Sequence, residues 1–170
     1  MAPKIVLVGP PGAGKTTIAR RLSSALNIAH IDSDELIEQR TGQRCRDFIE
    51  AKGIETFRAI EAEVIAEALQ LNGVLSLGGG AIEEDATRKL LIDHPVAWID
   101  VSIEEGDLRT RDTTARPLLD DMSYEELVKP RIPLYREVAD IRIPTDTRPP
   151  QQVVADILSF MESYDAKDCQ

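Results

Sequence analysis

The stretch GPPGAGKTT at residues 9–17 constrains this chain more than any other. It meets the pattern G-x-x-x-x-G-K-[ST] through Gly9, Gly14, Lys15 and Thr16. It follows a β-branched apolar run, KIVLV at 4–8, and opens a segment of helical character. That strand–loop–helix context gives the match its meaning. Glycines let successive backbone N–H groups close around phosphate oxygens. The helix that follows turns its positive end to the same anion. Lys15 is placed to reach β- and γ-phosphates, and the Thr16 hydroxyl to sit on Mg2+. Pro11, Gly12, Ala13, Gly14, Lys15, Thr16 and Thr17 are therefore the expected triphosphate-binding residues. A ligand-free glycine turn would need neither the lysine nor the hydroxyl. The loop leaves open what receives the phosphoryl group.

The rest of the chain alternates in a way that suits such a loop. Strand-like runs recur at 28–31, 74–77 (VLSL), 96–101 (VAWIDV) and 139–143 (ADIRI). Between them, Phe57, Ile60, Val64, Ala68 and Leu71 step by three and four along 55–71, a helical period. Segments 20–26 and 151–160 behave likewise. Strands alternating with helices predict an α/β, three-layer P-loop fold: a five-stranded parallel sheet flanked by helices. The 170 residues, 42% of them hydrophobic, suit one domain with a buried core, and no linker or repeat divides them. Residues 110–122 (TRDTTARPLLDDM) are polar and broken by Pro117, and the bulky Leu118-Leu119 pair favours a mobile lid over a plain surface loop. The tail after Tyr164 is polar and expected to fray.

Charge and cysteines exclude some classes. Twenty basic against thirty acidic residues leave a formal charge of −10, which argues against nucleic acid or an anionic membrane as partner. Cys45 and Cys169 match no metal or redox spacing and read as free thiols of a reducing compartment. The apolar start is too short for a signal core or a membrane span. A cytoplasmic protein is expected.

Four clusters bear on the acceptor. Asp32-Ser33-Asp34 ends the second expected strand, where ligands gather in an open α/β sheet. One of these residues could serve as a helix cap before ELIEQR; both aspartates doing only that is the weaker reading. Gly78-Gly79-Gly80 follows the third strand and suggests a ligand lying against bare main chain, where a tight turn would seldom need three glycines. Arg58 and Glu61 could pair on a helix surface, but Arg58 neighbours Phe57 on the core side, a setting suited to bidentate capture of a carboxylate. Arg131 lies between Pro130 and Pro133, with a solvated arginine as the alternative.

Together, GPPGAGKTT, the D-S-D at 32–34, GIETFRAIE, LSLGGGA, ARPLL and RIPLY resemble the shikimate kinase family, in order and approximate spacing over nearly the whole chain. The resemblance implies an ATP-dependent kinase that phosphorylates the 3-hydroxyl of shikimate, with Mg2+ as cofactor, acting as a monomer in chorismate and aromatic amino-acid biosynthesis. It implies a helical shikimate-binding region over about 32–62. It assigns Lys15 to the phosphates, Thr16 and Asp32 to the hydrated metal, and Asp34 to the ring hydroxyls. Arg58 and Arg131 become the carboxylate clamp, and Gly79 and Gly80 contact the ring. Arg116 on the lid swings over the transferring group, and Arg109 and Arg148 flank the adenine. The chain departs from the family's common pattern at Thr16 for Ser, Ile54 for Glu, and Phe48-Ile49 for Ile-Phe, the last bearing on the pocket wall. Two rivals are a gluconate-type small-acid kinase, which lacks the combined FR, GGG and RIPLY set, and a nucleotide switch, whose Asn/Thr-Lys-x-Asp signature is missing from the chain.

Overall fold

Residues Ile5–Val8 form β1, and each is 1% exposed or less. A strand buried on both faces reads as an unbroken apolar run, as central strands of parallel sheets do. The structure, a computed structural model, describes residues 2–111 and 122–169. Among these residues β1 is joined by β2 (His30–Asp32), β3 (Val74–Ser76), β4 (Val96–Asp100) and β5 (Ile141–Pro144). All pairings are parallel, in the order β2-β3-β1-β4-β5. Ile5 pairs with Val74 on one side of β1, and Val6 with Val96 on the other. The expected strands are all present, with β2 displaced towards Asp32.

Helices cover both faces, as parallel strands require. On one face α1 (Lys15–Leu26) and α9 (Pro150–Asp168) bring Ile18, Leu22, Val153 and Ile157 onto Ile5 and Leu7. On the other, α4 (Ile54–Ala68), α5 (Asp85–Leu91) and α8 (Ile132–Val138) bring Ile65, Leu91 and Tyr135 onto Val6, Val8 and Trp98. A smaller apolar cluster of Ile37, Phe48, Phe57 and Val64 knits α2 (Ser33–Thr41) and α3 (Cys45–Lys52) to α4. Beyond β4 lie α6 (Ile103–Thr110) and α7 (Tyr124–Val128). No described helix is long and apolar enough to cross a membrane.

Two helix ends differ from the sequence expectation. The tail after Tyr164 continues α9 to Asp168, because Ala166 and Lys167 are strong helix formers with no breaker before Cys169. Leu71, the last member of the 55–71 stripe, lies past the end of α4 and is 46% exposed. The expected lid, including Arg116 and Pro117, falls largely outside the described residues.

Candidate active site

The C-terminal ends of β1, β2 and β3 share one edge of the sheet. They deliver the glycine loop, the aspartate pair and the glycine triplet to one place. That edge is where open α/β sheets hold ligands. Helix α1 starts at Lys15, immediately after Gly14, whose left-handed φ of 95° few other residues adopt. A cleft of about 290 Å³ lies there, walled by Lys15, Thr16, Asp32, Asp34, Gly78 and Gly79. Pro11, Gly12, Gly14 and Thr17 line it too, whereas the Ala13 side chain is buried in the core beneath.

Lys15 Nζ donates to the carbonyls of Gly9 at 2.6 Å and Pro10 at 3.0 Å. Burial pulls its pKa down to about 8, against the raising influence of Asp34 and Asp32; Arg131 adds a small lowering effect. The two aspartates divide their work. Asp32 Oδ1 caps α2, accepting from the amides of Asp34 (2.8 Å) and Glu35 (3.3 Å). Its Oδ2 lies 3.5 Å from Ser76 Oγ, which in turn is 3.0 Å from His30 Nε2. Asp34 makes no such cap. Burial, then the charges of Asp32 and Glu61, push its pKa up to about 7, with Lys15 opposing. Ser33 belongs neither to the cap nor to a free turn. It is fully buried, and its Oγ accepts from the Gly78 amide at 3.1 Å, tying β2 to the glycine triplet.

The triplet serves the protein's own side chains. A Cβ at Gly78 would sit 2.7 Å from Asp34 Oδ1, and one at Gly80 would sit 2.1 Å from Arg58 Nη2 and 2.8 Å from Arg131 Nη2. Arg58 and Arg131 are 8% and 3% exposed, so neither is a solvated surface arginine. Arg58 Nη1 donates to the buried Glu61 at 2.7 Å, and its guanidinium stands over the Phe57 ring at 5.6 Å. Burial pushes the Glu61 carboxyl up, opposed by the Arg58 charge beside it. Arg58 Nε is buried without a partner among the described residues. An orphaned donor beside an acid-lined cleft is a place for a ligand acceptor.

Comparison with known proteins bears on what this constellation is for. The family model described as "Shikimate kinase" matches residues 11–162. The chain belongs to the shikimate kinase family. The shikimate kinase of Corynebacterium efficiens is 53% identical over 164 residues, 94% of this chain and 97% of that one. That of Mycobacterium avium is 45% identical, covering 98% and 97%. Among solved structures, shikimate kinase from Acinetobacter baumannii in complex with shikimate superposes with a TM-score of 0.89 at 36% identity, covering 96% of this chain and 94% of that one.

Against that shikimate kinase framework, the arginines expected at the adenine part company. Arg109 donates to the Gly12 carbonyl (3.2 Å) and to Thr145 Oγ1 and O (both 3.1 Å), so it abuts the phosphate loop. Arg148 pairs with Asp156 of α9 at 2.6 Å and lines a groove along β5 with Ile141 and Phe160. The Phe48-Ile49 inversion places the ring in the core, 6.4 Å from Phe57, with Ile49 packed against the same cluster. Ile54 opens α4, 36% exposed.

Three further residues escaped the sequence reading. Tyr135, fully buried, donates to the Gly79 carbonyl at 2.5 Å. Tyr124 donates to the Pro11 carbonyl at 2.6 Å across a bare Gly106. Thr145 Oγ1 lies 3.1 Å from the Ala13 carbonyl and 2.9 Å from the Asp100 carbonyl, pinning the loop to the ends of β4 and β5. Only Tyr135 carried a signal, its place within RIPLY.

Proposed function

We propose that this chain transfers the γ-phosphoryl group of ATP to the 3-hydroxyl of shikimate, giving ADP and shikimate 3-phosphate in chorismate and aromatic amino-acid biosynthesis. One observation carries the reading beyond family membership. A buried arginine pair packs against Gly80, next to the Gly79 that lines the phosphate-loop cleft, and a carboxylate of raised pKa, Asp34, lies in the cleft wall. That arrangement suits an acceptor with an acid at one end and a hydroxyl at the other.

Phosphoryl transfer needs alignment and charge neutralisation more than covalent help. Lys15, still largely protonated at neutral pH, exchanges the Gly9 and Pro10 carbonyls for phosphate oxygens. Asp34, titrating near neutrality, orients the acceptor hydroxyl and takes its proton; positioned bases of this kind contribute about 10²–10⁴ in rate. Gly79 and Gly80 border the ring. Arg58 and Arg131 take the acid, and an acceptor without a carboxylate leaves buried cations poorly paired. Arg116, assigned by resemblance, neutralises the transferring group; Arg109, against the phosphate loop, serves the nucleotide, and Arg148 reaches it only by leaving Asp156.

Thr16 and Asp32 are the residues to hold Mg2+. They offer only oxygens to the same cleft, and Asp32 Oδ2 is left free of the helix cap. A small oxygen donor set fits an ion that keeps waters and takes phosphate oxygens. The metal supplies charge neutralisation across the phosphates. The protein acts as a cytoplasmic monomer without nucleic-acid or membrane partners.

The test is coupled ADP release with shikimate, with and without Mg2+, beside gluconate. Release stimulated by shikimate alone and lost without the metal is the expected result. Equal stimulation by gluconate, or none by either acid, refutes the assignment.

A further inference from the structure

One acidic residue at the arginine clamp has no part in the mechanism above. The 3₁₀ turn Ala81–Glu83 follows the glycine triplet and brings Glu83 to both arginines. Glu83 Oε1 accepts from Arg131 Nε at 3.0 Å, and Oε2 lies 3.3 Å from Arg58 Nη2. One carboxylate thus spans the two guanidinium groups. It presents them with the same chemical group that an acidic substrate would present.

The members of this cluster differ in freedom. The side chains of Arg131, Arg58 and Glu61 are 3%, 10% and 2% exposed, whereas that of Glu83 is 40% exposed. The arginines and Glu61 are fixed by packing, and Glu83 can rotate into water. Charge points the same way. Two guanidinium groups already face two carboxylates, Glu61 and Glu83. An incoming carboxylate would be a third anion, with Asp34 close by in the cleft wall. Buried like charges are costly, so the exposed one leaves.

We propose that Glu83 is a built-in stand-in for the substrate carboxylate, holding the arginine pair in the free protein and vacating it when the acid binds. The proposal rests on the shikimate reading of the same site. Glu83 is then a specificity-determining residue, because every acid must outcompete it. A side chain occupying the clamp about 70–90% of the time weakens apparent affinity about three- to tenfold.

Glu83→Gln removes the charge at nearly constant shape, and Glu83→Ala removes the contact. Both variants should lower the KM and Kd for shikimate about three- to tenfold. The KM for ATP and kcat should stay within about twofold, a split that general destabilisation does not produce. Benzoate, a carboxylate without the ring hydroxyls, supplies a second probe by NMR titration and should also bind both variants more tightly. Shikimate methyl ester should gain nothing. A KM for shikimate that rises or stays constant makes Glu83 a fixed brace and overturns the proposal. If shikimate binds neither wild type nor variant, the kinase reading fails, and benzoate alone decides: no gain in either variant overturns the stand-in role.

Discussion

Asp34→Asn should do two opposite things. It should abolish phosphoryl transfer and raise the melting temperature. The carboxyl group is pushed up from 3.8 to about 7, chiefly by burial and secondly by Asp32 and Glu61. Its folded pKa lies above its unfolded value, so the folded chain binds the extra proton between about pH 4 and pH 7. Stability therefore falls as pH rises through that window and levels off above it. At about 1.4 kcal/mol per pKa unit the full cost is about 4 kcal/mol. Asp34 keeps partial access to the cleft, and removing it strips Lys15 of the anion that most favours its protonated form, so about 2 kcal/mol is the working figure. For a chain of this length that is about 4–8 °C. Thermal unfolding by circular dichroism at pH 5 and pH 8.5 gives the readout. The gain of the variant over wild type should be largest at pH 8.5, while a fluorescent ATP analogue still binds. A gain of equal size at both pH values, or a loss at pH 8.5, refutes the claim that an ionised Asp34 is held there at a cost. Retained turnover would refute its role in transfer.

The acid limb of kcat/KM for shikimate should have its midpoint near pH 7 from Asp34, with a decline above about pH 8 as Lys15 loses its proton; a profile flat from pH 6 to 9 would contradict both assignments. Gly80→Ala places a Cβ 2.1 Å from Arg58 Nη2, so the KM for shikimate should rise at least about tenfold while that for ATP stays within about twofold. Tyr135→Phe strands the Gly79 carbonyl, so stability by urea titration should fall about 1–3 kcal/mol and shikimate should bind less well, with ATP unaffected.

The legible parts of this chain are those written in contiguous residues. Loop geometry is local, so GPPGAGKTT announced itself, and so did the strands, whose burial on two faces leaves apolar runs. The arginines were legible only through neighbours: Phe57 beside Arg58, and prolines around Arg131. What stayed hidden depends on long-range closure. Ser33 meets Gly78 from 45 positions away, Tyr124 meets Pro11 from 113, and Thr145 meets Ala13 from 132. No spacing rule connects such residues, because the sheet order creates the contact. The glycine triplet was read as room for a ligand. Its immediate reason is room for Asp34, Arg58 and Arg131, and only packing could show that.

Binding at this site is an exchange of partners. Four of its cations rest on acceptors that the chain itself supplies: Lys15 on the Gly9 and Pro10 carbonyls, Arg58 and Arg131 on Glu83, and Arg109 on Gly12 and Thr145. Buried cations left bare would be costly, so provisional partners keep the folded site stable and its side chains aimed. The same partners subtract from every ligand contact, since each phosphate or carboxylate gains only its advantage over what it displaces. Carbonyls of the phosphate loop are fixed and neutral, so they orient Lys15 without repelling the triphosphate. Glu83 is charged and half-exposed, so it competes in kind with an acid and can leave. Affinity for the nucleotide should therefore respond little to changes at residue 83, and affinity for the acid strongly. The two substrates meet in one cleft, but different chemistry tunes each.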